Sequence, residues 1–219
     1  MLINMDLKEK QYEVLNLWPV PIFLSHIPVK DSYLNIIKKI KLERASNQRF
    51  DISEDKTVLN KIKDLKTEIE KQIELFVRDH LKINKKIEFY ITDSWLNKFE
   101  KGEGSTHHSH VNSMLSGCYY FKRSSEMGGI QFQKGYQTNH NIFYPNIWME
   151  YDEATPATGM AFNIKPKEGG LILFPSKVEH TVLDNNSSDI RYSIAFNVHV
   201  KGQFVVKDFT GKQNYILNV

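Results

Sequence analysis

One cysteine, Cys118, is all that the 219 residues contain. An intramolecular disulfide is therefore excluded, and the composition fits a reducing compartment. Long apolar runs are also missing: nothing approaches the roughly 18 consecutive apolar residues of a membrane-spanning helix. The opening MLINMDLKEKQYEV lacks the apolar segment of a secretory signal, so a cytoplasmic location is expected. Charge of one sign is scarce as well, since 29 basic and 26 acidic residues give a net +3 with no long block of either. A nucleic-acid binder concentrates its basic residues in a stripe; here Lys and Glu alternate, leaving no clear nucleic-acid footprint. No internal repeat or low-complexity segment is present.

What remains is ordinary for a globular protein, with 41% hydrophobic and 25% charged residues. The simplest organisation is a single domain over 1–219. LWPVPIF, residues 17–23, is apolar but broken by two prolines, which predicts an extended segment or edge strand. Asp31-Ser32 can cap a helix running to about Arg44. A longer helix is predicted over 55–82, with Val58, Ile62, Leu65, Ile69, Ile73, Phe76 and Leu81 on one face. From 86 onward the period changes to two. Short strands are predicted at 86–99, 114–123, 129–133, 140–149, 160–165, 170–174, 180–184 and 190–199, with Gly128-Gly129 and Gly169-Gly170 at turns. The expected division is thus an N-terminal part at about 1–85, a β core at 86–200 with an insertion at 134–163, and a tail at 201–219. Many short strands with turn punctuation predict a sandwich or barrel, not a βαβ sheet.

THHSHVNSMLSG, residues 106–117, holds three histidines in four positions. If the stretch is extended, His108 and His110 share a face and His107 points away. Far along the chain, His180 follows the apolar run LILF, and Arg191 follows eleven residues later. The strand IRYSIAFNV alternates: Ile190, Tyr192, Ile194, Phe196 and Val198 form one face, and Arg191, Ser193, Ala195 and Asn197 the other. One small, polar face with a single arginine is what a cavity-lining strand presents. Arg191 with Ser193 could hold a carboxylate through parallel charge-assisted bonds.

In order, the pattern is H-x-H, about 70 residues, H, eleven residues, R-x-S. With LWPVPIF, WLNKFEKGEGSTHHSHVNSMLSGCYYF, GGLILFPSKVEHTV and RYSIAFN, the chain resembles the putative iron(II)/2-oxoglutarate-dependent oxygenases of bacteria and phages, in the double-stranded β-helix superfamily. These segments span most of 17–199, with 134–160 matching least. The resemblance implies a mainly β fold, a double-stranded β-helix (jelly roll) core preceded by two N-terminal helices. It implies Fe(II) and 2-oxoglutarate as cofactors, O2 as cosubstrate, and hydroxylation of an unidentified substrate with release of succinate and CO2. By the same resemblance His108, His110 and His180 are the metal ligands and catalytic centre. It likewise implies that Arg191, Ser193, Tyr120 and Asn97 bind 2-oxoglutarate.

One position departs from the usual facial triad of two histidines and a carboxylate. His110 stands where the carboxylate belongs, which leaves a formal +2 on a three-imidazole iron(II) site instead of +1. Glu179 neighbours His180 but has the opposite parity. The residues alone leave other readings open: a three-histidine enzyme without 2-oxoglutarate (a cupin-like dioxygenase or a zinc hydrolase) or a non-catalytic jelly-roll binding module. Tyr136, Phe143, Tyr144, Trp148, Tyr151 and Phe162 could form a lid or substrate wall, and Asn112 and Ser113 could also face substrate. Cys118 is expected to be a small buried residue near the site. The helical face and LWPVPIF could support a homodimer.

Overall fold

The computed structural model describes residues 19–44, 46, 48–122, 126–134, 150, 152–153, 155, 157–205 and 214–217. Its strands are β1 (Phe23–His26), β2 (Leu42–Arg44), β3 (Asp51–Ser53), β4 (Ile87–Phe99), β5 (Leu115–Tyr120), β6 (Ile130–Gln133), β7 (Ala161–Ile164), β8 (Gly170–Pro175), β9 (His180–Val182), β10 (Arg191–Val205) and β11 (Asn214–Leu217), with helices α1 (Asp31–Ile37) and α2 (Lys63–Leu75). The large sheet has the order β1-β8-β5-β10-β4-β3-β2, with β11 paired to β10, and the small one is β7-β6-β9. Named strand pairs are antiparallel throughout both sheets.

Period-two alternation gives the large sheet two different faces. On β10 the apolar side chains Ile194, Phe196 and Val198 are buried with Leu65, Ile69, Ile73 and Phe76. These four recur at three-to-four-residue steps through α2 and its terminal π turn (Phe76–His80), so one helical stripe covers that face. Tyr120, Ile172 and Phe174 turn the opposite way and cluster with Ile130 and Phe132 of the small sheet. The site described below lies between the two sheets.

Several elements differ from expectation. The first helix ends at Ile37, not at about Arg44, and no side chain caps it at Lys30. Leu42–Arg44 instead pairs with Asp51–Ser53, and Arg44 Nη1 reaches Asp51 Oδ1 at 3.1 Å and Glu103 Oε1 at 2.6 Å. A seven-residue helix has little stability of its own, so tertiary pairing decides where it stops. The 55–82 region divides into a 3-10 turn (Val58–Lys61), α2 and the π turn. β10 continues to Val205 and β11 pairs with it, where a tail was expected. The strand expected at 140–149 lies outside the described residues. Gly128 and Gly169, each first in its pair, have φ of +62° and +71°, which a Cβ would strain. No described helix is long and apolar enough to cross a membrane.

Gly117, on the helix-facing side of β5, marks a close approach. A Cβ there would lie 2.2 Å from Phe196 Cζ and 2.8 Å from Leu173 Cδ2, and both side chains are fully buried. We expect Gly117→Ala to lower stability by about 1–3 kcal/mol through overpacking, read as a lower midpoint in urea denaturation. An unchanged midpoint would mean that the Phe196 ring has room to move.

Candidate active site

Residues 100–114 do not form the regular strand assumed for the histidine pair. The segment is irregular, and backbone bonds tie it to β9 and to the turn before it: Ser105 N donates to Val182 O at 3.0 Å, His108 and His180 exchange bonds at 3.0 and 2.9 Å, and His110 N donates to Ser176 O at 2.9 Å. Thr181 Oγ1 adds a bond to Ser105 O at 2.6 Å. Pairing with β9, not strand parity, therefore brings His108 opposite His180.

The ligand-capable nitrogens of His108, His110 and His180 all lie within 4.8 Å of one another. Ring centroids are 4.3 Å apart for His108–His180, 5.3 Å for His108–His110 and 5.2 Å for His110–His180. Each Nδ1 faces an oxygen: Thr106 O at 2.9 Å for His108, Val178 O at 2.9 Å for His180, and Asn197 Oδ1 at 2.6 Å for His110. Since these oxygens accept, the neutral form of each ring carries its proton on Nδ1 and keeps its lone pair on Nε2. That arrangement fits a divalent first-row metal, whose histidine ligands are commonly oriented in this way. Burial pushes the His180 imidazole down to about 3 despite its bond to Val178 O. Burial also lowers His110, against the bond to Asn197. Both shifts favour the neutral, ligating form.

No aspartate or glutamate joins the cluster among the described residues, and Glu179 is exposed. His107 lies at the surface, its Nε2 3.2 Å from Gln133 Nε2. Trp95 packs against His110 with centroids 5.9 Å apart, and Phe174 against His180 at 4.8 Å.

Strand register sorts the other predicted residues into rows on this inner face. Asn197 pairs with Asp93 on one side and Ser116 on the other, Ala195 with Trp95 and Cys118, Ser193 with Asn97 and Tyr120, and Arg191 with Phe99. Same-face rows lie about 7 Å apart. Ala195 and Cys118 keep partial exposure although Ile194, Phe196, Gly117 and Tyr119 beside them are buried. The row of small side chains between Asn197 and Arg191 is thus the part of this face that keeps surface accessible. Asn97 Oδ1 is buried and lacks a hydrogen-bond partner among the described residues, so it can accept a bond from a bound ligand. Arg191 is 1% exposed, lies 4.2 Å over the Phe99 ring, and donates to Met127 O and, at 3.1 Å, to Leu183 O.

Cys118 is half-buried, not fully buried. Desolvation raises its thiol pKa against the influence of Tyr120, Ser193 and Arg191, which disfavours a thiolate. Ser113 is engaged with Leu115 O at 2.8 Å, whereas Asn112 is exposed in the left-handed region at φ +56°. Of the aromatic insertion, Tyr136, Phe143, Tyr144, Trp148 and Tyr151 lie outside the described residues, and Phe162 is 39% exposed on β7. Sequence reasoning did not assign functions to Asn197, Ser116 and Trp95. The polar face of β10 was the one available signal, and it did not reveal Asn197's partner.

Residues 93–197 match the family described as "Putative 2OG-Fe(II) oxygenase". No curated protein matches in sequence. Among solved structures, a 2OG-Fe(II) oxygenase family oxidoreductase from Burkholderia pseudomallei superposes with TM-score 0.53 at 12% identity, covering 77% of this chain and 76% of its own. HygX from Streptomyces hygroscopicus, solved with nickel, 2-oxoglutarate and hygromycin B, gives 0.53 at 12%, covering 82% of each chain. A Trichoplax adhaerens prolyl hydroxylase bound to a hypoxia inducible factor peptide gives 0.54 at 15%, covering 81% and 82%. At these identities the likeness establishes the fold, a double-stranded β-helix. The family match spans the residues that carry the imidazole cluster, and over 93–197 the chain is similar to the 2-oxoglutarate/iron(II)-dependent oxygenases.

Proposed function

We propose that this oxygenase hydroxylates its substrate, with His108, His110 and His180 holding iron(II) and Arg191, Ser193, Tyr120 and Asn97 holding 2-oxoglutarate. The observation that carries the reading is the succession of rows on one sheet face. Three imidazoles lie at one end and a buried guanidinium at the other, with the small side chains of Ala195 and Cys118 partly exposed between them. A short dicarboxylate matches that polarity, one end reaching the metal and the other the arginine.

With the metal and cosubstrate bound, the group supplies oxygen activation coupled to decarboxylation of 2-oxoglutarate to succinate and CO2. The chain's own residues then have separate tasks. Arg191 is held against Phe99 and two backbone carbonyls, so its guanidinium is presented in a fixed direction. Asn97, Ser193 and Tyr120 form a polar row across β4, β10 and β5 that can bond the cosubstrate. Trp95 gives His110 an apolar neighbour, and Phe132 and Phe174 do the same for His180, while His108 stays exposed. A zinc hydrolase or cosubstrate-free dioxygenase gives no role to that polar row or to Arg191. The single cysteine supports assignment to a reducing, cytoplasmic location.

Purified protein given Fe(II), ascorbate and 2-oxoglutarate is expected to form succinate, with little turnover when Fe(II) is replaced by Zn(II). Absence of succinate, together with no 2-oxoglutarate binding by calorimetry in the presence of Ni(II), would refute the reading.

A further inference from the structure

His108 and His180 donate from Nδ1 to backbone carbonyls, which can only accept. His110 is different: its partner is the Asn197 side-chain amide, which has an accepting end and a donating end. Turned round, that amide would offer N–H to His110, favour a lone pair on Nδ1, and leave the proton on Nε2 where no metal could bind. Something must hold the amide in one orientation.

Asp93 is placed to do so. It lies opposite Asn197 in the β4–β10 register, and its Oδ2 accepts from Asn197 Nδ2 at 2.9 Å. Its Oδ1 accepts from Thr92 Oγ1 at 2.6 Å. A carboxylate accepts only, so it draws the amide nitrogen to itself and turns the oxygen towards His110. Ser116 Oγ lies 3.0 Å from both that oxygen and His110 Nδ1; a hydroxyl can donate or accept, so it fits either amide orientation and leaves Asp93 as the group that selects one.

We propose that Asp93, acting through Asn197, is a positioning residue that selects the metal-ligating tautomer of His110 and brings negative charge to a centre whose ligands are all neutral. The proposal rests on the metal-binding reading above. Asp93 makes up, two hydrogen bonds away, for the carboxylate that the usual triad carries in direct contact with the metal. Outer partners of this type orient a ligating imidazole and increase its basicity.

Co(II) is the probe, titrated into metal-free full-length protein and followed by its visible absorption. Asp93→Asn keeps the shape of the side chain but lets the Asn197 amide adopt either orientation. We expect its Co(II) dissociation constant to rise about tenfold or more, with the metal-free thermal midpoint close to that of the native protein. The exchange variant Asp93→Asn/Asn197→Asp, which places a carboxylate directly on His110 Nδ1, is expected to regain the lost affinity. Equal Co(II) affinity in native protein and Asp93→Asn overturns the proposal, and so does failure of the exchange variant to recover it. Should Asp93→Asn not fold, histidine 15N spectra of the native metal-free protein decide. A proton on His110 Nδ1 is expected, and one on Nε2 refutes the idea. Native protein that binds no Co(II) overturns the metal reading as well, and is distinguishable from loss in the variant alone.

Discussion

His180→Ala is expected to weaken Co(II) binding by at least about a hundredfold, because loss of an outer partner alone already costs about 10–100-fold in metal affinity. Succinate formation should fall to background with it. The fold should persist, since His180 and His108 exchange backbone bonds that do not depend on the imidazole. Removing the ring from between Phe132 and Phe174 leaves a cavity costing on the order of 2 kcal/mol. Metal titration and urea denaturation on the same preparation separate the two effects. If His180→Ala retains native metal affinity, His180 is not a ligand.

Arg191→Met is expected to reduce 2-oxoglutarate affinity about a hundredfold while leaving metal affinity within about twofold, since two charge-assisted bonds of about 1.5–3 kcal/mol each disappear. Arg191→Lys should recover only part of the affinity, because an ammonium cannot reproduce the planar two-bond geometry. Both variants will lose stability, because Arg191 also stacks on Phe99 and bonds the carbonyls of Met127 and Leu183. Calorimetric titration of 2-oxoglutarate into Ni(II)-loaded protein, at a temperature where both variants are folded, is the decisive measurement. Native affinity in Arg191→Met would remove the arginine from the cosubstrate site.

These roles could be read from the sequence to different depths. β10 was legible because alternation is local: each residue's face follows from its parity, and Arg191 and Ser193 do share a buried face. α2 was legible for the same reason at a different period. The end of α1 was not, because the apolar spacing of 31–44 suits either a helix or a helix followed by a strand, and pairing with β3 decides. Strand parity also selected His108 and His110, although their segment is not a regular strand. Their approach to His180 comes from backbone pairing with β9.

By itself the amino-acid sequence determined the alternating strands, the amphipathic helix and the residue types able to bind a metal and a dicarboxylate. Each of these depends on neighbours a few positions away. Only the tertiary structure decided which rings converge, which partner faces each Nδ1, and that Asp93 stands behind His110. The bonds of Asn197 to His110 and to Asp93 join residues 87 and 104 positions apart. Their geometry exists only once β4, β5 and β10 lie side by side, because hydrogen bonds require contact and no local period encodes contact at that separation.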